Sequence, residues 1–139
     1  MTTTTDVHGP IDFILLECPS DRLTGEASRA LTDLVERGVV RIYDLMVVSK
    51  GEDGAVEVLE LTNPAHGAST FSYFSGARSG LLGDEDVEEA ASVMKPGTVA
   101  ALIVYENTWA IPFVAAAQKS GGALIASLRI PATDVVTAL

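Results

Sequence analysis

The sequence is poor in the residues that carry most chemistry. Among 139 residues there is one cysteine, Cys18, and two histidines, His8 and His66. One cysteine cannot staple a fold, so the core must hold by packing alone. With no basic neighbour in view, Cys18 reads as a small buried hydrophobe rather than a reactive thiol. Neither histidine has a Cys, His or carboxylate at metal-ligand spacing, so no metal and no cofactor is expected. GxSxG, the P-loop and GxGxxG are all missing, and Ser79-Gly80 lacks the strand-to-helix elbow of a nucleophile.

Positive charge is scarce too. Nine Lys+Arg stand against 19 Asp+Glu, a net charge of −10. Phosphate backbones and anionic lipid surfaces are bound through Lys and Arg, so nucleic acid and membrane surfaces are disfavoured partners. No apolar run reaches the roughly 18 residues needed to span a bilayer. The start, MTTTTDVHG, lacks the charged and apolar regions of a secretion signal. The expectation is a soluble cytoplasmic protein with a disordered tail over residues 1–9 and one α+β domain over 10–139.

What the sequence does hold is a set of strongly apolar stretches. Pro10 to Cys18 and Val99 to Tyr105 read as strands apolar on both faces, hence covered on both sides. Thr24 to Arg37 is an amphipathic helix with Ala27, Leu31, Leu34 and Val35 on one stripe, Thr24 as N-cap and Gly38 at the stop. Val39 to Lys50 and Ala55 to Leu61 form a hairpin around Gly51 to Gly54, its second strand charged on one face as at a sheet edge.

The stretch from Thr62 to Lys95 is harder to place. Gly67 to Leu82 has a weak helical pattern in Phe71, Phe74 and Ala77, although Gly76 and Gly80 each cost about 1 kcal/mol relative to Ala. A helix from Asp84, read as its cap, runs to about Met94. Beyond Tyr105 a helix starts at Trp109 or Ala110, with Pro112 tolerated in its first turn. Ala123 to Ile130 reads as a last strand and Pro131 to Leu139 as a short helix.

Two units share one pattern: GPIDFILLE and GTVAALIVY are each followed by a helix, a glycine stop and another strand. Such a duplicated βαβ unit is the skeleton of a ferredoxin-like fold with about five antiparallel strands. A helical insertion then separates its two halves. The first strands of the two units are expected to lie centrally, side by side and parallel.

That placement puts Glu17 and Glu106 at the ends of neighbouring strands, where paired carboxylates recur in acid–base and metal sites. The structural alternative is that both are corner residues, Glu106 or Asn107 capping backbone groups. The helix after Glu106 is apolar nearly all round, with Trp109 and Phe113 four apart and alanines at 115, 116 and 117. Either Phe71 and Phe74 cover it or a second subunit does.

Three stretches together resemble a known family: GPIDFILLE, GLLGDEDVEEAA, and VYENTWAIPF with GGALIASLRIP. They are similar to a family of small, largely actinobacterial proteins of unknown function, over nearly the whole chain from Gly9 to Leu139. Members often carry Trp where this chain has Tyr105. The family is distantly similar to another group whose middle segment is longer, Gly-rich and like a membrane hairpin. Here Ser69, Ser72, Arg78 and Asp84 make that segment too polar to insert. The resemblance implies no activity or cofactor, so it assigns no functional residue.

The functional expectation is a non-enzymatic module that associates with itself, a dimer being favoured, or binds a partner. Its contact surface would be drawn from Trp109, Phe113, Ala116, Phe71 and Phe74. The alternative is a small-ligand-binding protein or enzyme with a pocket at Glu17, Glu106, Asn107 and Trp109.

Overall fold

The computed structural model describes residues 8–22, 25–62 and 67–122. Thr24, His66, the tail over 1–7, and the last strand and terminal helix expected over 123–139 lie outside them. The described chain is an α+β arrangement: β1 (Ile11–Pro19), α1 (Glu26–Glu36), β2 (Arg41–Lys50), β3 (Val56–Leu59), α2 (Asp84–Val93), β4 (Thr98–Glu106) and α3 (Ile111–Lys119). The four strands make one antiparallel sheet in the order β1-β4-β2-β3.

Turn chemistry sets several boundaries. Gly38 takes a left-handed φ of 73° beyond the last turn of α1, the glycine stop read from the sequence. Gly51 N–H donates to Ala55 O at 2.8 Å to close the β2–β3 turn. At α2 the cap is Gly83 rather than Asp84. Asp86, in the first turn, reaches back to accept the Gly83 N–H at 2.8 Å.

Strand direction departs from expectation. β1 and β4 are neighbours, but they run antiparallel, Ile11 opposite Glu106 and Pro19 opposite Thr98. β2 is antiparallel to β4 on its other side, so β1 and β2 run parallel to each other with β4 between them. The connection β1–α1–β2 is therefore a split β–α–β unit. Only β4 is central in the expected sense, buried from Thr98 to Ile103. β1 closes one side of the described sheet, and Ile11, Phe13 and Leu16 are exposed.

Each face of the sheet has its own core. On one, Leu45, Val47, Val99, Ala101 and Ile103 pack under Phe71 and Phe74, with Leu31 and Val35 of α1 alongside. On the other, Met46, Val48, Ala100 and Leu102 pack against Ala90 of α2, Met94 and Leu82. Phe71 and Phe74, at 5% and 4% exposure, are thus core residues and not the interface residues the sequence suggested.

The weak helix expected over Gly67 to Leu82 is instead a 3₁₀ segment, Gly67–Phe74, kinked at Phe71. Beyond it the chain turns back onto β2. β3 pairs only with Val47 to Lys50, leaving the first half of that β2 edge open. Ala77 O accepts the Leu45 N–H at 2.9 Å, and Arg78 bridges Asp44. The insertion therefore takes the place of a longer edge strand. Asp44, fully buried, anchors it. Its Oδ2 accepts the Leu82 N–H at 2.9 Å, and Arg78 Nε stands 3.0 Å from Oδ1. That guanidinium N–H is not aligned for a hydrogen bond, so Oδ1 is held by charge alone.

Candidate functional site

The sequence drew attention to the corner after β4, and three of its four candidate residues meet there. Glu106 ends β4 and is 1% exposed. A buried carboxyl group needs donors. Gly9 N–H donates to Oε2 and Tyr43 O–H to Oε1, each at 2.8 Å. His8 Nδ1 is 4.0 Å from Oε2, an ion pair only when the imidazole is protonated. Gly9 itself is buried.

Asn107 works as a clamp one residue on. Its N–H and Nδ2 both donate to Pro10 O, at 2.8 and 3.0 Å, and Nδ2 donates to Asp12 Oδ2 at 2.9 Å. Its Oδ1 accepts from Trp109 Nε1 at 3.1 Å. Thr108 Oγ1 and Trp109 N–H donate to Gly38 O and Val39 O, fastening the corner to the end of α1. The cluster joins the start of β1, the end of α1 and the end of β4.

Tyr43 is the member the sequence did not single out. A β-bulge between Ile42 and Asp44 sets it outside the strand alternation and turns its hydroxyl toward Glu106. Burial, and then the hydrogen bond to Glu106, raise its pKa above the ordinary tyrosine value, so it stays a donor. The only sequence signal was the unusual polarity of Arg41, Tyr43 and Asp44 within an apolar strand.

Glu17 is not part of this site. Antiparallel pairing places it opposite Ala100, at the far end of the ladder from Glu106. The paired-carboxylate geometry therefore does not form. Glu17 Oε2 accepts instead from Lys95 N–H at 2.7 Å and Thr98 Oγ1 at 2.8 Å, and the Lys95 bond first, then Thr98, lowers its pKa. Cys18 beside it has a raised pKa, through burial and then the Glu17 charge, the opposite of an activated thiol. Among the described residues no group of three His, Cys, Asp or Glu side chains is placed to hold a metal ion.

An apolar groove of about 420 Å³ opens beside the corner. Ile14 and Leu16 of β1 form one wall, Leu31 and Leu34 of α1 the other, and Asn107 and Trp109 close one end. Past it, α3 buries Val114 but leaves Phe113 77% exposed, while Trp109 ahead of it is 63% exposed. Ala116 is exposed as well. The helix that looked too apolar to face water presents its aromatic side outward.

Residues 7–139 match the family described as a family of unknown function, DUF6325. The chain belongs to that family. Neither the curated proteins nor the solved structures contain a match to it. For this DUF6325 chain, function rests on the geometry above. Among the described residues no helix is long and apolar enough to cross a membrane.

Proposed function

We propose that this chain is a non-enzymatic module that associates with a second copy of itself through the outward face of α3 and the turn before it. The observation that carries this reading is the exposure of Trp109 and Phe113 on a stretch with no acidic residue from Asn107 to Gly122. Two copies of a chain with net charge −10 repel one another unless they meet where that charge is absent. The two rings supply roughly 250 Å² of apolar surface per protomer at the usual size of such side chains. A stable interface needs about 800 Å² per partner, so the rings form its centre and neighbouring residues, Ala116 among them, its surround.

Against catalysis at the corner stands the fate of its polar atoms. Both oxygens of Glu106 and both ends of the Asn107 amide are taken up by groups of the chain itself. A general acid or base needs an open approach to substrate, and Glu106 has none. The corner reads as a structural clamp.

For the fold, the split unit β1–α1–β2 supports the ferredoxin-like, five-stranded plan as our reading of the whole chain. The cytoplasm is the proposed location.

Trp109 is the sole tryptophan, so its fluorescence tests the contact. On this reading emission shifts to the blue, and acrylamide quenching falls, as concentration rises through the association range. Emission of a water-exposed indole at every concentration would rule Trp109 out of an interface.

A further inference from the structure

Trp109 belongs to two surfaces at once. Its ring closes one end of the groove between β1 and α1, and it is also the first ring of the outward α3 face. We propose that Phe113 of a second copy seats in this groove, and that Phe113 of the first copy seats in the second copy's groove in return. This rests on the self-association reading and says what the α3 face grips.

Asn107 sets up the arrangement. Its Oδ1 accepts the Trp109 Nε1 hydrogen at 3.1 Å, which fixes the indole at the groove end. Phe113 follows four residues on, in the first turn of α3. Among the described residues no large apolar side chain is more exposed. Projecting ring and groove therefore share one corner of the molecule. A two-fold contact requires this, since the patch one copy offers is the patch the other receives.

Size, chemistry and area agree. A cavity of about 150 Å³ already holds a benzene ring. The groove, about 420 Å³, takes a phenyl ring with room for the helical turn that carries it. Its walls, Ile14, Leu16, Leu31 and Leu34, are aliphatic, and no residue lining it is charged. In a chain of net charge −10, such a surface lets two copies meet without bringing carboxylates together. The two exposed rings supply only roughly 250 Å² of the about 800 Å² per partner that a stable interface uses. Ring-against-ring contact leaves most of that area unfilled, whereas a ring inside the groove also covers both walls. An aromatic side chain enclosed in a partner's pocket is the usual centre of such an interface.

Isotope-filtered NMR on an equal mixture of differently labelled wild-type molecules reads the contact directly. The expected result is contacts from the Phe113 ring of one molecule to the Leu31 and Leu34 methyls of the other. A dimer without those contacts, its groove filled from its own chain or by another part of the partner, overturns the proposal and leaves self-association standing. A monomer at every concentration overturns both. Two variants give an independent reading. Ala30 is exposed on α1 and lines the groove, so Ala30→Trp fills it from the surface. Ala30→Trp and Phe113→Ser are each expected to weaken association about tenfold or more. Mixed together they are expected to associate more tightly than either alone, because Phe113 of the first variant finds the open groove of the second. An Ala30→Trp protein that dimerises like wild type, or a mixture no tighter than its components, overturns the proposal.

Discussion

Tyr43 Oη lies 2.8 Å from Glu106 Oε1, and through that bond the bulge in β2 is tied to the end of β4. The acceptor is buried and its other oxygen is committed to Gly9 N–H. Removing the phenol leaves a carboxyl oxygen with no donor from the chain. Tyr43→Phe is expected to cost about 1.5 kcal/mol, the low end for a bond to a charged group because the phenol is half-buried. Glu106→Ala strips two donors of their partner and is expected to cost about 3 kcal/mol. Glu106→Gln is expected to cost about 1 kcal/mol or less, since its oxygen serves Gly9 and its amide donates to the Tyr43 oxygen. Urea unfolding of the three variants checks the order.

Gly9 is expected to tolerate no side chain. A Cβ there runs into the Asn107 carbonyl, which is rigid backbone. Gly9→Ala must push the N-terminal strand entry off the corner and lengthen the bond to Glu106. The expected loss is about 1–3 kcal/mol, as for overpacking elsewhere. Stability equal to wild type would show that the corner is looser than described.

Two groups give stability a pH dependence at opposite ends of the scale. The Tyr43 pKa is raised in the folded chain, so its contribution is full below the ordinary tyrosine value near 10 and is lost as pH climbs through the raised value. The Glu17 pKa is lowered, so its contribution is present above the ordinary value of 4.5 and fades as pH falls through the lowered one. Tyr43→Phe is expected to flatten the alkaline limb of the stability profile and Glu17→Gln the acid limb. Thermal unfolding across pH, with an unchanged slope in either variant as the contrary result, checks both.

Much of this architecture is written in residue pattern. The alternation of β3, the stripe of α1 and the Gly83-Asp84-Glu85-Asp86 start of α2 lead directly to the observed elements. What pattern cannot give is which strand sits beside which, and in what direction. β1 and β4 look alike because both are apolar on both faces, yet one is central and the other closes the described sheet. Reversing their relative direction parted Glu17 from Glu106 while leaving Glu106, Asn107 and Trp109 together, since those three are adjacent in sequence. Tyr43 was missed because a bulge breaks the two-residue period on which strand reading depends. Gly67 to Leu82 carries a weak helical pattern, yet beyond Phe74 its backbone at Ala77 and Arg78 is spent on bridging β2.

The exposure of Trp109 sets what its truncation costs. A buried ring would cost several kcal/mol on truncation, whereas at 63% exposure Trp109→Ala is expected to cost the folded chain about 0.5–1 kcal/mol. Its larger effect belongs to assembly. Equilibrium unfolding at concentrations low enough to dissociate the protein separates the two.

The measurement that bears most directly on self-association is solution mass by light scattering behind size exclusion. Wild type, Trp109→Ala and Phe113→Ser are compared over a wide range of concentrations. The account predicts wild type at twice the 14.6 kDa monomer mass, with both variants shifted toward the monomer while still folded. A wild-type protein that stays at 14.6 kDa at every concentration contradicts it.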